Sequence, residues 1–125
     1  VFAVALVTAM ATRAEAQGKF EPRSGQAGKD VVWVPTPQET VELMLNMAKV
    51  TKEDYVIDLG SGDGRTVITA AKRGARARGI EYNPDMVALS IENAKTAGVS
   101  ERAVFVQADL FKTDFSQATV LTLFL

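Results

Sequence analysis

The stretch Val56-Ile57-Asp58-Leu59-Gly60-Ser61-Gly62-Asp63-Gly64-Arg65 passes from an apolar run through alternate glycines to a helical pattern. Its start belongs to a short apolar run, Tyr55 to Leu59, with the length and the glycine boundary of a buried strand. From Arg65 to Arg73 the pattern is helical, with Val67, Ile68 and Ala71 on the buried side and Gly74 at the end. Between the two, glycines at alternate positions allow a sharp turn and let backbone N–H groups approach a ligand closely. A strand handed to a helix through such a turn is where an open α/β sheet binds ligands, beyond its strand ends.

Upstream, Thr36-Pro37-Gln38-Glu39 matches a helix start, with Thr36 as the cap, proline in the first turn and glutamate three residues after the cap. Val41, Met44, Leu45 and Ala48 then predict a helix from Pro37 to about Lys49. Downstream, Ala77 to Glu81 is a strand interrupted by Arg78 and Gly79. Asn83-Pro84 opens a helix to about Ala97, and Ala103 to Gln107 and Val120 to Leu125 are strands rich in β-branched or aromatic residues. Strands alternating with helices predict an α/β fold, a Rossmann-like doubly wound parallel sheet with helices over its faces, ending here after the fourth strand.

Composition narrows the chemistry. The 125 residues are 47% apolar and carry 14 lysines and arginines against 15 acids, a formal charge of −1. Such a chain can build a core, and the charge gives no support for a nucleic-acid partner. Lys72, Arg73, Arg76 and Arg78 read as a solvated helix end and loop. With no cysteine and no histidine, disulfides, thiolate or imidazole metal sites and histidine bases are excluded, and no metal is expected.

At the other end, Val1 to Thr12 holds ten apolar residues of twelve, and Ala14-Glu15-Ala16 follows with small residues where a leader peptidase reads. Residues 1–16 are therefore expected to be a secretory leader or a membrane anchor. The first implies export; the second implies membrane association through residues 1–12 with the domain on the cytoplasmic side. Residues 17–31 are polar and glycine-containing and are expected to form a flexible arm before the domain at 32–125.

Three acids stand at three successive strand ends. Asp58 precedes the glycine turn, Glu81 lies 23 residues after Asp58, and Asp109 lies in Gln107-Ala108-Asp109-Leu110. The glycine spacing departs from the dinucleotide pattern, because position 65 is arginine, and from the GxxxxGK[ST] phosphate loop. Phosphate is thus disfavoured. Asp58 suits a cationic amino group, Glu81 two vicinal hydroxyls, and Asp109 an exocyclic amine.

Taken together, VIDLGSGDGR (56–65), GIEYNP (79–84) and QADLF (107–111) resemble the class I S-adenosylmethionine-dependent methyltransferases. The resemblance implies that Asp58 and the loop of Gly60, Ser61, Gly62 and Gly64 hold the methionine portion of S-adenosyl-L-methionine. It assigns Glu81 to the ribose, Asp109 with Leu110 to the adenine, and Tyr82 to the adenine flank. VWVPTPQETVELML (32–45) before the first strand looks like the small protein-lysine methyltransferases, in which the VPTP segment, here with Thr36, lies over the cofactor. This implies methyl transfer to a protein lysine ε-amine. A small-molecule acceptor and a non-catalytic S-adenosylmethionine-binding module are the alternatives. The fourth strand lacks the Asn/Asp-Pro-Pro-aromatic motif of many amino-group methyltransferases, which weakens planar nitrogens as acceptors. No catalytic residue is assigned.

Overall fold

The computed structural model describes residues 18–125; the leader or anchor expected at residues 1–16 lies outside the described residues. In chain order the elements are α1 (Gln38–Met47), β1 (Tyr55–Leu59), α2 (Arg65–Lys72), β2 (Arg76–Glu81), α3 (Pro84–Thr96), β3 (Ala103–Gln107), a 3-10 turn (Leu110–Lys112) and β4 (Val120–Leu123). The strands form one parallel sheet in the order β3-β2-β1-β4. That order reverses direction at β1, so a crevice opens beyond the carboxyl end of β1, between β2 and β4.

Local chemistry explains most boundaries. Asn83 caps α3, its Oδ1 accepting from the backbone N–H of Asp85 at 2.9 Å and of Met86 at 3.3 Å. Lys49 takes a left-handed φ of 53°, which lets Val50 N–H bond the Leu45 carbonyl at 3.0 Å and stops α1 at Met47 rather than Lys49. The expected cap at Thr36 is not formed. Pro37 itself holds the capping position with ψ 141°, so the helix starts one residue later than expected, Thr36 lies before the cap, and no side chain caps the helix.

β2 runs straight through the apparent interruption. The Arg76 guanidinium stacks on the ring of its register partner Tyr55, 4.4 Å from the centroid. Gly79 is required there, since a side chain would run into Ser61 Oγ and the Phe105 ring. The basic residues accordingly do not act as one solvated patch, for Arg73 pairs with Glu42 at 2.6 Å and Arg78 is half-buried.

The two faces of the sheet are covered differently. Val41 and Leu45 of α1, Val67, Ala70 and Ala71 of α2, and Ala94 of α3 pack with Val56, Ala77 and Phe105 on one face. On the other face Ile57, Leu59 and Ile80 are covered by Leu110, Phe115 and Ala118 from the connection between β3 and β4. Each fully buried aliphatic side chain contributes about 1.5–3 kcal/mol. No described helix is long and apolar enough to cross a membrane.

The expected flexible arm is partly folded. Gly25 N–H bonds the Trp33 carbonyl at 2.7 Å, Trp33 N–H bonds the Gln26 carbonyl at 2.8 Å, and Ala27 bridges Val32 in antiparallel fashion. This tight loop folds back over the crevice.

Candidate cofactor site

A crevice of about 440 Å³ lies at the carboxyl ends of the strands. Its floor is the glycine loop, its far wall is Glu81, Tyr82 and residues 108–111, and its roof is the arm from Gly28 to Thr36. Five acids and two cations line it: Asp30, Asp58, Asp63, Glu81 and Asp109 against Lys29 and Arg65. The balance suits a ligand with positive charge.

Glu81 is held on both sides. Its Oε2 accepts from Gly62 N–H at 2.8 Å and its Oε1 from Asn83 N–H at 2.9 Å. A carboxylate oxygen has two acceptor positions, so one remains on each oxygen, the number that two neighbouring hydroxyls need. The same contact occupies Gly62 N–H, which a phosphate would otherwise have used.

Asp58, at the end of β1, is buried, and its Oδ1 accepts from Thr122 Oγ1 at 2.6 Å. Burial pushes its carboxyl up to about 7, the charges of Glu81 and Asp63 add to the shift, and the Thr122 bond opposes it. A cation placed against this carboxylate would reverse the burial effect.

The glycines divide by orientation. At Gly62, φ 53°, a Cβ would lie 2.5 Å from Trp33 Nε1, and at Gly60 it would lie 2.7 Å from Leu125 Cδ2. The volume in front of these two glycines is thus partly taken by the indole and the leucine. Gly64 faces away from the crevice: with φ 84°, its Cβ would meet Phe105 at 2.8 Å and Ser90 at 2.9 Å. Its Cα side is a helix-to-sheet packing position, and it does not line the crevice. Ser61 lines the crevice through the loop, while its hydroxyl is turned toward Gly79 and has no hydrogen-bond partner.

At the far wall, Asp109 Oδ1 accepts from Phe111 N–H at 3.0 Å, and Oδ2 lies 3.7 Å from the Lys29 ammonium. That ammonium stands 5.3 Å from the Tyr82 ring centroid and 5.9 Å from that of Phe111. Asp30 and Asp109 both hold the Lys29 pKa above its ordinary value, Asp30 the more strongly. Tyr82, Leu110 and Asp109 thus lie together on this wall, with Lys29 of the arm beside them. Thr36 lines the crevice, and its carbonyl accepts from Arg65 Nη1 at 2.9 Å.

Lys29, Arg65 and Thr122 are the participants that motif reading did not single out. Arg65 ended the quoted motif and carried a signal in being a cation at a helix start. Lys29 and Thr122 carried none.

These residues match known proteins. A family model for the ANTKMT methyltransferase domain matches residues 58–125. A protein-lysine N-methyltransferase of Saccharolobus islandicus (strain REY15A) is 45% identical over 97 residues, covering 76% of this chain and 60% of that protein. The adenine nucleotide translocase lysine N-methyltransferase of Mus musculus is 34% identical over 96 residues, covering 76% and 42% respectively. Among solved structures, an RNA methyltransferase from Salinibacter ruber in complex with S-adenosyl-L-homocysteine aligns with a TM-score of 0.72 at 53% identity, covering 74% of this chain and 61% of that one. The chain thus spans less than two thirds of the length of each of these relatives.

Proposed function

The chain belongs to the ANTKMT methyltransferase domain family, and we propose that its crevice binds S-adenosyl-L-methionine and that the protein containing it methylates a protein lysine ε-amine. The single observation that carries the cofactor reading is Glu81, fixed by Gly62 and Asn83 with one acceptor position left on each oxygen. Glu81 takes the ribose hydroxyls, Asp58 the amino group of the methionine portion, and Asp109 the adenine amine beside Tyr82 and Leu110. The bound cofactor supplies an activated methyl group on a sulfonium.

What remains for this chain is alignment and exclusion of water. Trp33, Pro35 and Thr36 roof the crevice, and the acids beneath hold a cationic ligand in place. A lysine acceptor must lose its proton before it attacks, and an apolar approach favours the neutral amine. The lysine-modifying relatives support a protein acceptor. A net charge of −1 and an acid-lined crevice give no support to nucleic acid.

The test is methyl transfer from labelled S-adenosylmethionine by the full-length protein, offered protein, small-molecule and RNA acceptors together. Label on lysine ε-amines supports the proposal, whereas label confined to small molecules or RNA overturns the acceptor assignment. The apolar run Val1 to Thr12 supports a leader or membrane anchor at residues 1–16. Because S-adenosylmethionine is made inside cells, an anchor that leaves the domain on the cytoplasmic side keeps the enzyme with its donor. The mass of the mature N-terminus checks this: retention of residues 1–16 agrees with an anchor, and cleavage after Ala16 with export.

A further inference from the structure

We propose that Arg65 is a positioning residue that clasps the arm over the cofactor crevice and so sets how long the cofactor is retained. The inference rests on the cofactor reading above and extends it to a residue that touches neither hydroxyl nor amine of that ligand. A cation at the first position of α2 faces the positive end of the helix dipole, so its presence needs a compensating contact. Arg65 has two. Its Nε and Nη2 fork onto the Asp63 carboxylate at 3.0 and 2.5 Å, and its Nη1 donates to the Thr36 carbonyl at 2.9 Å.

The clasp joins a fixed part to a loosely held one. Asp63 is tied to α3, its carbonyl accepting from Asn93 Nδ2 at 3.0 Å. On the other side, residues 18–36 are held chiefly by bonds within the arm itself. Among the described residues, the Arg65–Thr36 bond is the one hydrogen bond, and Lys29–Asp109 the one ion pair, that connect this arm to the rest of the chain. Three residues before Thr36, the Trp33 indole lies on Gly62. Releasing Thr36 frees Trp33 from the glycine loop and opens the roof. A lysine at position 65 keeps the charge but lacks the planar fork that reaches Asp63 and Thr36 at once.

Trp33 is the only tryptophan of this sequence, so its emission reports the roof, with a Trp33→Phe variant subtracting any tryptophan elsewhere in the full-length protein. In the full-length protein without ligand, Arg65→Ala is expected to red-shift that emission, and added guanidinium to reverse the shift. With ligand, S-adenosylhomocysteine release is expected to speed up about tenfold or more, the scale of a lost charge-assisted bond, and guanidinium to slow it again. Arg65→Lys is expected to show both effects to a lesser degree at an unchanged melting temperature, and it carries the test if Arg65→Ala does not fold. Unchanged emission in the substituted proteins, or changes that guanidinium does not reverse, overturns the clasp. Failure of the unsubstituted protein to bind S-adenosylhomocysteine instead overturns the cofactor reading, and the ligand-free emission still decides the clasp.

Discussion

Thr122 Oγ1 lies 2.6 Å from Asp58 Oδ1 although 64 residues separate them. The two face each other because β1 and β4 are parallel neighbours with Asp58 opposite Thr122. The hydroxyl supplies a hydrogen bond to a carboxyl that burial would otherwise leave without a strong partner. Even so, burial dominates and the group titrates near 7, which gives the crevice a pH response at ordinary working conditions.

The sign of that response is opposite for stability and for binding. An acid whose pKa rises from 3.8 unfolded to about 7 folded holds an extra proton in the folded state between those values, so stability falls as pH rises through that window. At roughly 1.4 kcal/mol per pH unit the full loss is somewhat above 4 kcal/mol once the pH exceeds 7. The ligand-free protein is therefore expected to melt several degrees higher at pH 6 than at pH 8, and Asp58→Asn to flatten the difference. Differential scanning calorimetry checks this, and equal midpoints at the two pH values in the unsubstituted protein would contradict it.

Ligand affinity should move the other way. A cationic amino group prefers ionised Asp58, so affinity for S-adenosylhomocysteine is expected to rise about tenfold from pH 6 to pH 8. Asp58→Asn abolishes the slope and binds more weakly. Calorimetric titration at the two pH values measures both, and a flat profile in the unsubstituted protein removes Asp58 from the ligand contact.

Gly64 and Gly62 stand two residues apart with opposite duties. Gly64→Ala forces a methyl group against Phe105 and Ser90 at a positive φ, which is expected to cost roughly 2–4 kcal/mol of stability. Trimming Phe105 to leucine should recover part of that loss. Chemical denaturation of the single and double variants is the measurement, and additive losses would refute the packing role.

Lys29 stands where the adenine amine is placed, beside Asp109 and across Tyr82 and Phe111. Replacing it with alanine removes a competitor for that carboxylate, while the Arg65–Thr36 bond still holds the arm. Affinity for S-adenosylhomocysteine is expected to improve about two- to fivefold, the scale of an exposed ion pair with a cation–π contact. Weaker binding in Lys29→Ala would mean that the ammonium instead holds the ligand.

The sheet was legible in the sequence because its strands are apolar runs ended by glycine or by a turn, as at Tyr55–Leu59 and Ala103–Gln107, whose limits agree to the residue. Asn83-Pro84 marked α3 equally well, since the cap and the proline act locally. Thr36 does not cap because Pro37 takes extended backbone and moves the helix start one residue along, a choice of ψ that the motif does not encode. Spacing alone does not separate Gly62 from Gly64, for alternate residues of a turn share composition while their Cβ directions differ. Lys29 over Tyr82 and Thr122 beside Asp58 depend on how the arm folds back and on strand register, and neither leaves a local pattern.

The most direct test of the account is titration of the full-length protein with S-adenosylhomocysteine, compared with a Glu81→Gln variant. One bound ligand per protein is expected, weakened about 10- to 100-fold in the variant, because the substitution removes charge from a carboxylate that receives both hydroxyls. Absence of heat in the unsubstituted protein, or equal affinity in the two, would contradict the assignment of this crevice to the cofactor.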